Sequence, residues 1–231
     1  MMLLAMQGLA LGIGFMVLGW MLAVHRRQRL SPAKLPAREF LFQSVPVRRP
    51  CVWAAVRAVS PEAVQMALGL QRAVPCSWAE GLTGGHEFFI SPNVNGWVII
   101  TGMGLPNPTD DVDATFLFLT ALSRQLGHVQ YFYASRLLHH HAWARLDDGC
   151  VTRAYAWTGE TVWHQGVETV PEIQTGLRLF EYGEQSATIL DAENNLNKVP
   201  LLAARWSLDP AEVKFNPLRP VTGIAGESVF G

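Results

Sequence analysis

The chain predicts an α+β fold: a mainly antiparallel sheet domain with a few packed helices, preceded by an N-terminal transmembrane helix. Three observations carry that expectation. The 24 residues from Met1 to Val24 contain no charged side chain. Short β-rich runs recur through the body and are joined by tight-turn pairs, Asn95-Gly96 and Asp148-Gly149, the chemistry of antiparallel connections. Helix start signals stand at only a few places between them.

Taken in order, the opening segment comes first. As a helix it would be about 36 Å long, enough to cross a roughly 30 Å hydrocarbon core with some tilt. Gln7 is its only strongly polar residue. A cleaved signal peptide places basic residues before a shorter apolar core and small residues at its exit. Here no Lys or Arg precedes the run, and the exit is Ala23-Val24-His25-Arg26-Arg27. A buried core helix would show a polar face, and this segment has none. A retained membrane anchor is therefore expected over residues 1–24, with Trp20 at the interface and Gly8-x-x-x-Gly12 offering a close approach between two anchors.

Arg26, Arg27, Arg29, Lys34, Arg38, Arg48 and Arg49 follow, against Glu39 alone. Positive charge beside a span stays in the cytoplasm, which places the body there and the N-terminus outside. Arg26, Arg27 and Arg29 are expected at the lipid surface, worth about 1 kcal/mol each. The formal net charge of −1 hides an asymmetry, because residues 50–231 carry 11 Lys and Arg against 18 Asp and Glu, a charge of −7. A basic neck and an acidic body argue against nucleic-acid binding, which needs clustered cations. Pro32, Pro36, Pro46 and Pro50 make residues 25–50 an extended linker.

The globular domain is expected over residues 51–222. Cys51 to Val56 reads as a strand, and Ser60-Pro61-Glu62 as a helix start running toward Leu70. Phe88–Ile90 and Trp97–Ile100 form a hairpin across Asn95-Gly96. Asp110, Asp111 and Asp113 sit at the positive end of a helix over roughly residues 113–126, with Gly127 as its stop. Residues 129–133, 137–146 and 151–157 read as consecutive strands, with short strands continuing to Trp163. Helical stretches follow at 199–206 and from Asp209-Pro210. Residues 223–231 are small and polar and are expected to form a flexible tail.

The chemistry-bearing candidates are few. His139-His140-His141 in a strand would put His139 and His141 on one face, a pair able to hold a metal ion with a third ligand. A turn centred on Asp148-Gly149 would set His141 opposite Ala156, Trp143 opposite Ala154 and Arg145 opposite Thr152. His141, Trp143 and Arg145 then form a row that either binds a partner or lies under a helix with Arg145 reaching solvent. Cys51, Cys76 and Cys150 are widely spaced and read as free thiols, without a Cys-x-x-Cys pair. No cofactor is expected: Gly102-x-Gly104 lacks the rest of a dinucleotide cradle. No nucleophile elbow or His-Glu-x-x-His motif occurs.

Ile90-Ser91-Pro92 with Asn95-Gly96-Trp97, then Val129-Gln130-Tyr131-Phe132, His141-Ala142-Trp143-Ala144-Arg145, Arg153-Ala154-Tyr155-Ala156-Trp157-Thr158-Gly159-Glu160 and Trp206-Ser207-Leu208-Asp209-Pro210 resemble a group of uncharacterised bacterial α+β proteins. The likeness spans roughly Trp78 to Val213. It implies a bacterial source and a compact domain, and supplies no catalytic residues because the group has no established activity. Two functions follow as expectations. One is a non-enzymatic protein-binding domain on the cytoplasmic face of the inner membrane, with toxin neutralisation by an immunity protein as a concrete form. The other is a metal-dependent hydrolase using His139 and His141.

Overall fold

Alternation along the strands sorts this domain into two faces. The computed structural model describes residues 49–57, 60–184, 188–214 and 222–228. The expected anchor, most of the linker, and Arg26, Arg27 and Arg29 lie outside the described residues. No helix among the described residues is long and apolar enough to cross a membrane.

Nine strands form one sheet: β1 (Val52–Arg57), β2 (Leu70–Ser77), β3 (Phe88–Ile90), β4 (Trp97–Thr101), β5 (Val129–Ser135), β6 (His140–Asp147), β7 (Cys150–Trp157), β8 (Thr161–Gln165) and β9 (Thr222–Ser228). Their order is β2-β9-β3-β4-β1-β5-β6-β7-β8, and every pairing is antiparallel. Among the described residues the helices are α1 (Pro61–Ala67), α2 (Trp78–Gly81), α3 (Val112–Leu126), α4 (Val170–Thr175) and α5 (Ile189–Trp206), and a 3-10 turn covers Pro210–Glu212.

On the first face, Val56, Ile100, Tyr131, Ala144 and Ala154 pack with Val64 at α1 and with Leu119 and Leu122 of α3. On the second, Trp53, Phe132, Trp143, Tyr155 and Trp157 pack with Trp78 of α2 and with Ala192, Val199 and Leu202 of α5. The sheet is thus covered on both sides, the α+β arrangement expected. Its outer edges are protected too. Strand β2 carries Pro75 and an irregularity between Gln71 and Val74, devices that blunt an edge. At β8 the Tyr182 hydroxyl accepts from the His164 amide at 2.7 Å.

Local signals explain most boundaries. Ser60 caps α1, yet the helix stops at Ala67, and Gly69 at φ 60° turns the chain into β2. Asp111 caps α3 through the Ala114 amide at 2.9 Å, and Gly127 ends it at φ 78°. Helix α5 starts ten residues earlier than the expected 199, because Thr188 and Asp191 form a reciprocal capping box. The flexible-tail expectation is corrected for residues 223–228, since Thr222–Ser228 is strand β9, paired on both sides, and residues 229–231 lie outside the described residues. Its glycines serve close approach rather than looseness. A Cβ on Gly223 would lie 2.3 Å from the Ile90 carbonyl oxygen and 2.6 Å from the Phe89 ring.

Candidate functional site

The β6–β7 hairpin turns through Asp148 and Gly149, with φ of 48° and 80°, a pair of left-handed residues suited to a two-residue connection. Near the turn the expected register is present: Asp147 faces Cys150 and Leu146 faces Val151. An irregularity between Arg145 and Leu146 then shifts it by one residue. Thr152 is the extra residue, and its hydroxyl donates to the Arg145 carbonyl at 3.0 Å. The predicted partners are therefore corrected: His141 faces Trp157, Trp143 faces Tyr155 and Arg145 faces Arg153. A single-residue slip moves every side chain to the opposite face, so the row meets large aromatic neighbours instead of small ones.

The row belongs to an aromatic ladder. Trp53 stacks on Phe132 at 5.2 Å, Trp143 meets Tyr155 at 4.9 Å, and His141 stacks on Trp157 at 5.5 Å. His141 and Trp143 have 0 % exposure, so neither offers a docking surface directly. Only Arg145 reaches solvent, with its guanidinium 3.9 Å from Asp147.

Beneath the helical layer lies an ionic cluster. Glu172 of α4 accepts from Arg153 Nε at 2.8 Å and 3.1 Å and from the Trp143 indole N–H at 2.6 Å. The Thr169 amide and hydroxyl each donate to its second oxygen at 2.7 Å. Arg153 Nη1 donates to the carbonyls of Ala154 and Gln165 at 3.0 Å. Asn195 of α5 does comparable work beside His141. Its Nδ2 meets His141 Nε2 at 3.1 Å and donates to the Arg178 carbonyl at 2.6 Å, while its Oδ1 accepts from the Arg178 amide at 2.9 Å. Burial, the leading cause, pushes the His141 imidazole down to about 3. It is neutral and internally engaged, which suits a structural residue.

The predicted metal pair is not assembled as expected. Strand β6 begins at His140, and His139 stands in the preceding turn at φ 57°. Its Nδ1 lies 3.8 Å from Glu193, while His140 turns the other way to Thr109 at 3.2 Å. Among the described residues, the group of three close ligand atoms is Cys76, Glu80 and His86, and contains neither His139 nor His141. His128 pairs with Asp147, and His164 packs edge-on against Tyr155.

What the row does supply is a rigid bed for α4 and α5, whose outer surface is unusual. The inward side of α5 is Ala192, Asn195, Leu196, Val199, Leu202 and Ala203. The opposite side, at steps of three and four, presents Leu190, Asn194, Asn197, Leu201 and Ala204, all exposed and none charged. Leu190 and Leu201 are 71 % and 56 % exposed. The charged residues of α5 itself, Asp191, Glu193, Lys198 and Arg205, lie beside this stripe. Arg205 donates to Gln174 of α4 at 2.9 Å, and Arg136 of the β5–β6 turn donates to Asn197 at 2.7 Å. Of the 14 large hydrophobic side chains exposed among the described residues, eight lie on this layer and its adjoining turns: Leu137, Leu138, Val167, Val170, Ile173, Ile189, Leu190 and Leu201. Exposure of apolar surface is thus concentrated over one face of the sheet. No protein-family model, curated protein or solved structure matches the chain.

Proposed function

We propose that this protein is a tethered protein-binding domain whose docking surface is the outer side of α5, flanked by α4 and the β5–β6 turn. The observation that supports it is the uncharged stripe Leu190, Asn194, Asn197, Leu201 and Ala204. Interface centres are depleted of charge, and a contiguous apolar patch with a polar rim marks a contact surface. The leucines supply apolar area and the amides supply hydrogen bonds, so the fitting partner presents an apolar face with backbone or side-chain polar groups. Residues 1–24 hold the domain at a bacterial inner membrane, and the basic neck keeps it on the cytoplasmic side. Neutralisation of a toxin by an immunity protein is one form of this activity.

The test is capture from a detergent extract of the source cells by the full chain and by a Leu190→Asp, Leu201→Asp variant. The proposal expects a stoichiometric partner held by the parent chain and lost by the folded variant. A partner retained equally by both, or none on the parent chain, overturns it.

A further inference from the structure

A second group of side chains lies away from α4 and α5, where β2, α2 and β3 meet. Cys76 is near the end of β2 and is 4 % exposed. Ser77 then caps the short helix α2, accepting from the Glu80 amide at 3.3 Å, which sets Glu80 one turn after the cysteine. The chain returns through Gly84 and Gly85 to His86, whose Nε2 lies 3.5 Å from Cys76 Sγ. The ligand atoms of Cys76, Glu80 and His86 all fall within 4.8 Å of one another.

We propose that Cys76, Glu80 and His86 form a three-ligand site for a divalent transition metal ion of the zinc class. The donor set is a thiol sulfur, an imidazole nitrogen and a carboxylate oxygen, which such an ion accepts together. With bonds of about 2.3 Å to sulfur and about 2.0–2.1 Å to nitrogen, a tetrahedral ion holds those two ligands roughly 3.6 Å apart. The Cys76–His86 separation of 3.5 Å matches that edge. Glu80 is exposed, so its carboxylate closes the third position by side-chain rotation alone. Three protein ligands leave a fourth position for water, the arrangement of reactive rather than purely structural sites. His86 also lines a cleft of about 420 Å³ with Arg72, Val74, Met103 and Glu227.

The backbone holds the imidazole in place. Gly102, at φ 136°, passes so close that a Cβ there would lie 2.2 Å from the Glu87 carbonyl oxygen and 2.8 Å from that of His86. The Met103 amide donates to the His86 carbonyl at 3.1 Å.

The experiment uses the full chain in detergent, carrying Cys51→Ser and Cys150→Ser so that Cys76 is the remaining thiol. Cobalt(II) is titrated as the probe. The expected result is a single equivalent bound, with a thiolate-to-cobalt charge-transfer band and the strong visible absorption of a tetrahedral ion, both displaced by zinc. Cys76→Ser is expected to remove the charge-transfer band, and Glu80→Gln to weaken cobalt binding at least about tenfold while leaving the circular dichroism unchanged. Glu80 is exposed, so that variant decides the matter even if the buried cysteine tolerates no change. Absence of the charge-transfer band in the parent, or unaltered binding in Glu80→Gln, overturns the proposal.

Discussion

The two faces of the sheet are built from alternate residues of the same strands, yet they are held together by different physics. Under α3 lie Ala142 and Ala144 of β6 with Ala154 and Ala156 of β7, all buried. Small side chains let the helix approach, and the cohesion is aliphatic. Under α5 and α4 lie His141, Trp143, Tyr155 and Trp157, joined by the Arg153–Glu172 pair and by Asn195. One face is close-packed and indifferent to charge. The other is a polar and aromatic network in which Glu172 and Asn195 hold buried donors. Among the described residues, Arg153 Nη2, His141 Nδ1 and the Trp157 indole N–H have no partner, so a further lost partner adds to the unpaired buried groups. That network fixes α4 and α5, and so the surface proposed above for a partner.

The sharpest way to break this contrast is at Glu172, which is 0 % exposed against 1 % for Arg153. Glu172→Gln keeps the shape but leaves the guanidinium without its counter-charge. The expected cost is about 3–5 kcal/mol, read from denaturant midpoints. Replacing both members, Arg153→Met with Glu172→Leu, is expected to recover only part of that loss, because it removes the uncompensated charge but leaves the Trp143 indole N–H and the Thr169 cap without their acceptor. A loss below about 1 kcal/mol for Glu172→Gln would mean that the pair is not a keystone of this face.

The first face is expected to respond to volume instead. Ala144 has 0 % exposure and sits where α3 crosses β5, β6 and β7. Ala144→Leu inserts three carbons into close-packed space, with an expected cost of about 1–3 kcal/mol in the same unfolding measurement. A neutral outcome would show a void between α3 and the sheet and would erase the distinction between the faces.

How much of this was legible depended on whether the signal was local. The Asn95-Gly96 turn, the Gly127 end of α3 and the Asp148-Gly149 turn are all written in adjacent residues and form as read, while α3 begins at Val112, one residue before the expected start. The β6–β7 faces failed for one residue: the bulge at Thr152 has no strong sequence mark, and it reverses the parity of everything beyond it. The chemistry of the pairs did contain a hint. Only the shifted register sets alanine beside alanine and aromatic beside aromatic. Strand β9 was hidden because its glycines look like looseness until Ile90 and Phe89 are seen against Gly223. Around the proposed docking surface, the sequence reading places no helix at α4, although Thr169-x-x-Glu172 has the spacing of a capping box, and Glu172 as counter-ion to Arg153 joins residues 19 apart. Cys76, Glu80 and His86 converge only when β2, α2 and β3 are folded together.

The finest difference between the faces is in their response to pH. His141 is the buried imidazole of the aromatic face, and burial lowers it from the ordinary 6.5 to about 3. Between those values the unfolded chain takes up a proton at this ring and the folded protein does not. The unfolded state therefore binds more protons, and stability falls as the pH falls from about 6.5 toward 3, by at most about 1.4 kcal/mol per pH unit. Above about 6.5 the ring is neutral in both states and contributes no slope. His141→Gln retains an acceptor for Asn195 and removes the titration, so its stability is expected to lose less on acidification across that window. Carboxylates that titrate in the same range act in both proteins and cancel in the difference. Denaturant midpoints at a series of pH values test this, with Ala144→Leu as the control from the other face, expected to run parallel to the parent chain. Parallel lines for His141→Gln as well would mean that the imidazole takes up its proton inside the fold, and that the aromatic face is no more sensitive to charge than the aliphatic one.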